Sequence, residues 1–205
     1  MPNTKPYELN RLASAKCVCI AFFMGFYSAS SFASENIRFA DKVENQSNNI
    51  LQPQTNWLEY SQGMVRWMWF DVYQAKLFIE EDSPIKSFSA NELLSEKMPL
   101  KLELCYKRKV TAQQFIEGAE HVLPKDLSGQ LKEQVERLHS QYQNVKEGDC
   151  YALVYLPENQ QTQLKFNHQL VFQTNTKHFK ALYFGIWIGD KPLSSRLKTT
   201  LLKAE

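Results

Sequence analysis

Glycine and proline are scarce, 7 and 8 in 205 residues. That excludes a collagen-like or low-complexity chain. Cysteine is nearly missing from the body of the chain. Two of the four, Cys17 and Cys19, fall in an N-terminal apolar stretch, which leaves Cys105 and Cys150. No Cys-x-x-Cys pair occurs, so there is no thioredoxin-like or cysteine-rich zinc signal. The histidines, His121, His139, His168 and His178, share no metal-ligand spacing. A glycine-rich phosphate loop, a Gly-x-Ser-x-Gly elbow and a His-Glu-x-x-His helix are all lacking. Charge of one sign is lacking too. The formal +2 is carried by Lys5, Arg11 and Lys16 against Glu8, and the remainder is neutral. No basic stripe argues for nucleic acid. No apolar run reaches the ~20 residues that span a bilayer.

What is present begins with an export pattern. A basic n-region precedes an apolar stretch from Cys17 to about Tyr27, and small residues end in Ser31-Phe32-Ala33. Cleavage is expected after Ala33, giving a periplasmic or secreted protein with no stable membrane span. Residues 34–56 are polar and rich in Asn and Gln, and read as a loose arm. The domain proper is placed at 57–205. In an oxidising compartment the two remaining cysteines permit one disulfide, with two buried thiols as the alternative.

Aromatics are abundant, with 13 Phe, 9 Tyr and 4 Trp, and the hydrophobic fraction of 43% suits a sizeable core. The run GMVRWMWFDVYQAKLFI (63–79) is too β-branched and aromatic for a surface helix. It reads as extended, bent near Asp71. With a period of two, Met64, Arg66, Met68 and Phe70 share one face. Ser89-Ala90-Asn91-Glu92 and Thr111-Ala112-Gln113-Gln114 are capping boxes that open helices. Residues 101–106 alternate as a strand. Leu127, Leu131, Val135, Leu138, Tyr142 and Val145 recur every three to four residues and predict one amphipathic helix. Strands follow at 150–157, 162–166 and 169–173. Helices are expected within 176–189 and around 194–203. Strands and helices in clusters, without βα alternation, mean α+β with a mainly antiparallel sheet.

Three of these stretches together are similar to bacterial chalcone-isomerase-like proteins. Residues 63–79 resemble that family's Gly-x-x-Arg segment. EGDCYALVYLPENQQTQLKFNHQ (147–169) resembles its Gly-Asp strand-and-turn region. FGIWIGDKPLSSRLKTTLL (184–202) resembles its closing Ile-Trp-x-Gly segment. The resemblance implies an open-faced β-sandwich with helices packed on one face and a cleft between sheet and helices. Plant enzymes of this fold close a flavonoid ring, related plant members bind fatty acids, and some eukaryotic members are described as haem proteins.

Carried over residue by residue, Arg66 matches an early-strand Arg of the plant enzymes. Tyr106 stands where they have Lys, with Lys107 beside it. Phe115 replaces a Tyr and Val122 an Asn. A phenyl ring can neither donate a hydrogen bond nor orient a water. The expectation is therefore a non-catalytic protein binding a small apolar carboxylate, with a fatty acid as the leading ligand. The expected contacts are Arg66, Met64, Met68, Phe70, Tyr106 and Phe115. Arg66 is expected to anchor the acid; the alternative is a structural pair with Asp71 or Glu103. The other readings are a true intramolecular lyase with a different residue set, a haem protein and a protein-interaction module. His121 is the histidine expected nearest the cleft.

Overall fold

The computed structural model describes residues 55–82 and 87–203. The chain divides into two units, Met1–Ile50 and Leu51–Glu205, and every described residue belongs to the second. The expected leader and nearly all of the polar arm lie outside the described residues.

Six strands form one antiparallel sheet in chain order: β1 (Trp57–Trp67), β2 (Phe70–Glu80), β3 (Leu100–Tyr106), β4 (Cys150–Leu156), β5 (Gln161–Phe166) and β6 (Gln169–Thr174). Five helices accompany them: α1 (Ala90–Leu94), α2 (Ala112–Val122), α3 (Gly129–His139), α4 (Phe179–Ile188) and α5 (Ser195–Leu202). The register aligns side chains into rows. Leu77, Leu102, Leu153, Leu164 and Phe172 stand side by side across five strands, all buried. The next row holds Ala75, Leu104, Tyr151 and Phe166, and the one beyond it Tyr73 and Tyr106. Residues one position away show the opposite face, with Lys76, Glu103 and Lys165 in register. That alternation lets one face pack under helices while the other stays polar.

Both capping boxes form as the sequence implies. Thr111 accepts from the Gln114 N–H, and the Gln114 side chain accepts from the Thr111 N–H at 2.9 Å. Pro124 lies just past the end of α2. α4 is apolar nearly all round, with Phe179, Tyr183, Phe184, Ile186 and Ile188 buried, as a helix in the core requires. α5 lies against β1, and Gly63 permits the contact. A Cβ there would sit 2.7 Å from Leu197 Cδ1.

Two expectations are corrected. Residues 63–79 are not one extended run but a hairpin, turning at Met68 and Trp69. Met68 takes φ 54°, so the period-two count stops there. Met64 and Arg66 therefore do not share a face with Met68 and Phe70. The helix predicted through Val145 ends at His139. Val145 instead exchanges backbone hydrogen bonds with Val110, at 2.9 and 3.2 Å. This bridge competes with the helix and wins, because it ties the segment after β3 to the segment before β4.

Lys180 is only 1% exposed on α4. Its Nζ donates to the Met98 carbonyl at 2.6 Å and to the Ser95 carbonyl, and lies 4.5 Å from the centre of the Tyr155 ring. Burial pushes its pKa down to about 7, with Glu96 opposing. The unfolded value lies near ~10.4. Between these two values the unfolded chain holds the extra proton, so stability rises as pH climbs from about 7 toward 10. Below about 7 both states are charged and this contribution is flat. Urea unfolding across that window is expected to show the rise, and Lys180→Met to flatten it. An unchanged slope in Lys180→Met would assign the rise to other groups.

Candidate functional site

Between the covered face of the sheet and helices α2 and α4 lies a cavity of about 780 Å³. Its floor comes from β3, β4 and β5: Leu102 and Leu104, Tyr151 and Leu153, and Leu164. Its roof comes from Phe115 and Ala119 on α2 and from Tyr183, Ile186 and Trp187 on α4. The apolar faces of two helices and three strands converge here without filling the space. The volume falls in the ~300–1,000 Å³ range of small-molecule sites.

The cavity changes character along the strands. Toward the middle of the sheet its walls are Leu102, Leu153 and Leu164. Toward the end where β3 leaves the sheet, the walls carry Tyr73 and Tyr106, and then Arg108 and Lys109. Trp187, near the end of α4, is buried with its Nε1–H unpaired. That N–H approaches the Tyr73 hydroxyl and holds down its pKa, yet it falls short of hydrogen-bonding geometry. Burial still pushes Tyr73 up to about 12. Burial raises Tyr106, Tyr142 and Tyr183 as well; neighbouring tyrosines add to this for Tyr106 and Tyr183, whereas for Tyr142 the hydrogen bond with Tyr183 opposes it. These phenols therefore stay protonated at neutral pH. They serve as neutral hydrogen-bonding groups and not as phenolate bases.

Aromatic packing fixes the walls. Phe115 lies with its ring centroid 5.2 Å from Tyr106, 5.1 Å from Tyr142 and 5.6 Å from Tyr151. Tyr142 and Tyr183 share a hydrogen bond of 2.8 Å between their hydroxyls. Tyr183 stacks on Phe179 at 5.5 Å. The Tyr151 hydroxyl accepts from the Gln143 N–H at 2.8 Å.

The expected site residues separate into two groups. Tyr106 and Phe115 line the cavity. Arg66, Met64, Met68 and Phe70 are not in its wall. Arg66 Nε donates to Asp71 Oδ1 at 2.6 Å on the exposed hairpin, with 67% of the Arg66 side chain accessible. The structural alternative for Arg66 is thus the pairing observed. A pair this exposed contributes about 0–1 kcal/mol. The reason is local: Val65 pairs with Tyr73 on the covered face, so alternation turns Arg66 to the other face, where the register shift after Val65 brings Asp71 opposite it. His121 does line the cavity, but at its exposed rim. Among the described residues it is the only imidazole in that wall; His139 is buried behind it, with its ring centroid 6.1 Å from Tyr142 and 6.2 Å from Tyr183. Among the described residues no cluster of His, Cys, Asp or Glu could hold a metal ion.

Several site residues escape sequence reasoning. Arg108 and Lys109 follow Tyr106 and Lys107 in the stretch YKRKV (106–110), but nothing in the spacing says that they reach the mouth. Tyr142, Tyr183 and Trp187 come together only through tertiary packing.

The family profile described as chalcone isomerase-like matches residues 51–203. The chain belongs to the chalcone isomerase-like family. Curated proteins yield no sequence match. Among solved structures, this chalcone isomerase-like chain is similar to a fatty-acid binding protein of Arabidopsis thaliana. The TM-score is 0.52 at 12% identity, covering 71% of this chain and 86% of that one. At that identity the likeness establishes the shared fold. The open antiparallel sheet with helices over one face is the architecture the family implies.

Cys105 and Cys150 face each other across β3 and β4, and a disulfide joins them. Their Cα atoms are 4.1 Å apart, close to the ~4.5 Å of a non-hydrogen-bonded antiparallel pair. Strand alternation puts them on the polar face, opposite to Leu104 and Tyr106. The bridge therefore staples the sheet near the cavity's mouth without entering the cavity.

Proposed function

We propose that this chalcone isomerase-like domain binds a small apolar molecule with an acidic group, a fatty acid first, and catalyses nothing. The observation that carries this is the polarity of the cavity. One end is walled by leucines, and the other offers tyrosine hydroxyls, an unpaired indole N–H and two cations. An acyl chain gains ~25 cal/mol for each Å² it buries at the apolar end. Its carboxylate keeps partial hydration at the mouth, where Arg108 and Lys109 supply charge. A carboxylate driven to the leucine end would lose its hydration with no partner. The fold shared with a plant fatty-acid binding protein supports the same reading.

Phe115 supports the non-catalytic half. It puts a ring, packed among three tyrosines, where the plant pattern has a hydroxyl. The raised tyrosine pKa values leave the interior without a phenolate base near neutrality. We further propose that the protein is exported and cleaved after Ala33. The disulfide supports that compartment, since such bonds persist where the surroundings are oxidising.

The test compares a fatty acid with its methyl ester, using tryptophan fluorescence. Arg108→Gln/Lys109→Gln is expected to weaken the acid roughly 5- to 10-fold. That corresponds to about 1–1.4 kcal/mol for charge contacts at an exposed mouth. The ester should be nearly unaffected, and Arg66→Gln should change neither. Equal losses for acid and ester would show that the cations shape the mouth without reading the acid.

A further inference from the structure

The turn between β1 and β2 exposes large apolar side chains that the cavity does not absorb. Trp67, Met68, Trp69 and Phe70 follow one another, with Met68 69% and Trp69 90% exposed. They project from the end of the sheet at which β3 finishes and β4 begins. The same end carries exposed cations: Lys107, Arg108 and Lys109 after β3, and Lys146 before β4. Two of the carboxylates there are already engaged. Asp71 holds Arg66 at 2.6 Å, and Asp149 accepts from the Lys146 N–H and from Asn167, both at 2.9 Å. Glu147 is the third, and the cations outnumber the acids. The Arg108 guanidinium lies 5.1 Å from the centre of the Phe70 ring. Trp67 and Arg108 also line the cavity, so the turn and the cavity's mouth are one continuous surface.

Indoles left in water next to a methionine and a phenylalanine mark an interaction surface. This surface protrudes, and cations flank it. That combination fits a bilayer interface, where indole rings settle at headgroup depth and Lys and Arg meet anionic phosphates. We propose that the β1–β2 turn docks the domain on membranes containing anionic lipids, with the cavity's mouth facing the lipid. Docking itself stands on the turn and its cations. Its use, passing an acyl chain between bilayer and cavity without crossing water, rests on the ligand reading above.

Vesicle flotation tests it. Wild type and Met68→Ser/Trp69→Ser are compared in identical N-terminal forms, so any contribution from residues 1–33 cancels. Both side chains are exposed, so the fold should tolerate the change. Wild type should float with phosphatidylcholine vesicles containing phosphatidylglycerol, and much less with phosphatidylcholine alone. The double variant should lose roughly 30-fold in partitioning, about 2 kcal/mol at 1.4 kcal/mol per decade. Ala119→Trp, which fills the cavity, should float like wild type. Equal flotation of wild type and the turn variant overturns the proposal. So does a wild type that ignores both kinds of vesicle, as a turn that meets a protein partner would. Fatty-acid uptake without flotation sinks docking alone; flotation without uptake sinks the ligand reading alone.

Discussion

Replacing both bridged cysteines, Cys105→Ser/Cys150→Ser, is expected to lower the melting temperature by roughly 8–16 °C, from about 4 kcal/mol at 2–4 °C per kcal/mol. The bridge closes a loop with a sequence separation of 45 residues. In the chain-entropy model a loop of that length restricts the unfolded state by about 4 kcal/mol. The loop contains all of α2 and α3, hence one side of the cavity roof. Without the bridge, the contact between β3 and β4 depends on the ladder and on side-chain packing alone. Because the sulfurs lie on the polar face, fatty-acid affinity at room temperature should hardly change. Thermal melting followed by circular dichroism measures the first effect, and titration at low temperature the second. Reducing the wild type before melting should reproduce the loss. A shift of only a degree or two would mean that strand pairing restrains the unfolded chain almost as well as the bridge does.

Much of the fold is readable from local chemistry. Thr111 with Gln114 and Ser89 with Glu92 announce helices, because each box satisfies backbone N–H groups that a helix start leaves bare. The alternation in 101–106 sets both the strand and the face that Leu102, Leu104 and Tyr106 present. The β1–β2 hairpin is not readable in this way. Its turn is Met68-Trp69, with no Gly, Asn or Asp to mark a change of direction, and Met68 itself takes the left-handed conformation. An apolar turn between two apolar strands looks like one long strand. The turn takes Met68 and Phe70 off the face of Met64 and Arg66, and the pairing of Val65 with Tyr73 turns that face away from the cavity.

The end of α3 was hidden for a different reason. Tyr142 and Val145 continue the helical spacing, but each is held by a distant partner. Tyr142 meets Tyr183, and Val145 meets Val110. The candidate site divides along the same line. Tyr106 and Phe115 sit next to a strand end and a helix start, so a matched segment could place them. Trp187 enters the site from α4, and Arg108 and Lys109 from a loop with no periodicity. Only the packed chain shows that they share a mouth.

The cavity as a binding chamber is the central claim, and filling it is the most direct test. Ala119 is small, buried and part of the roof on α2. Ala119→Trp places an indole in space that an acyl chain would occupy, while its backbone stays helical. Displacing roughly 110 Å² of ligand contact removes about 2.7 kcal/mol at ~25 cal/mol per Å², or roughly 100-fold in affinity. The measurement is isothermal titration of delipidated protein with a long-chain fatty acid, wild type beside Ala119→Trp, with circular dichroism confirming that both are folded. Saturable binding of one equivalent by wild type, and a loss of roughly 100-fold or more in the variant, is the expected result. Absence of saturable binding in the folded wild type, or equal binding by the two proteins, would contradict it.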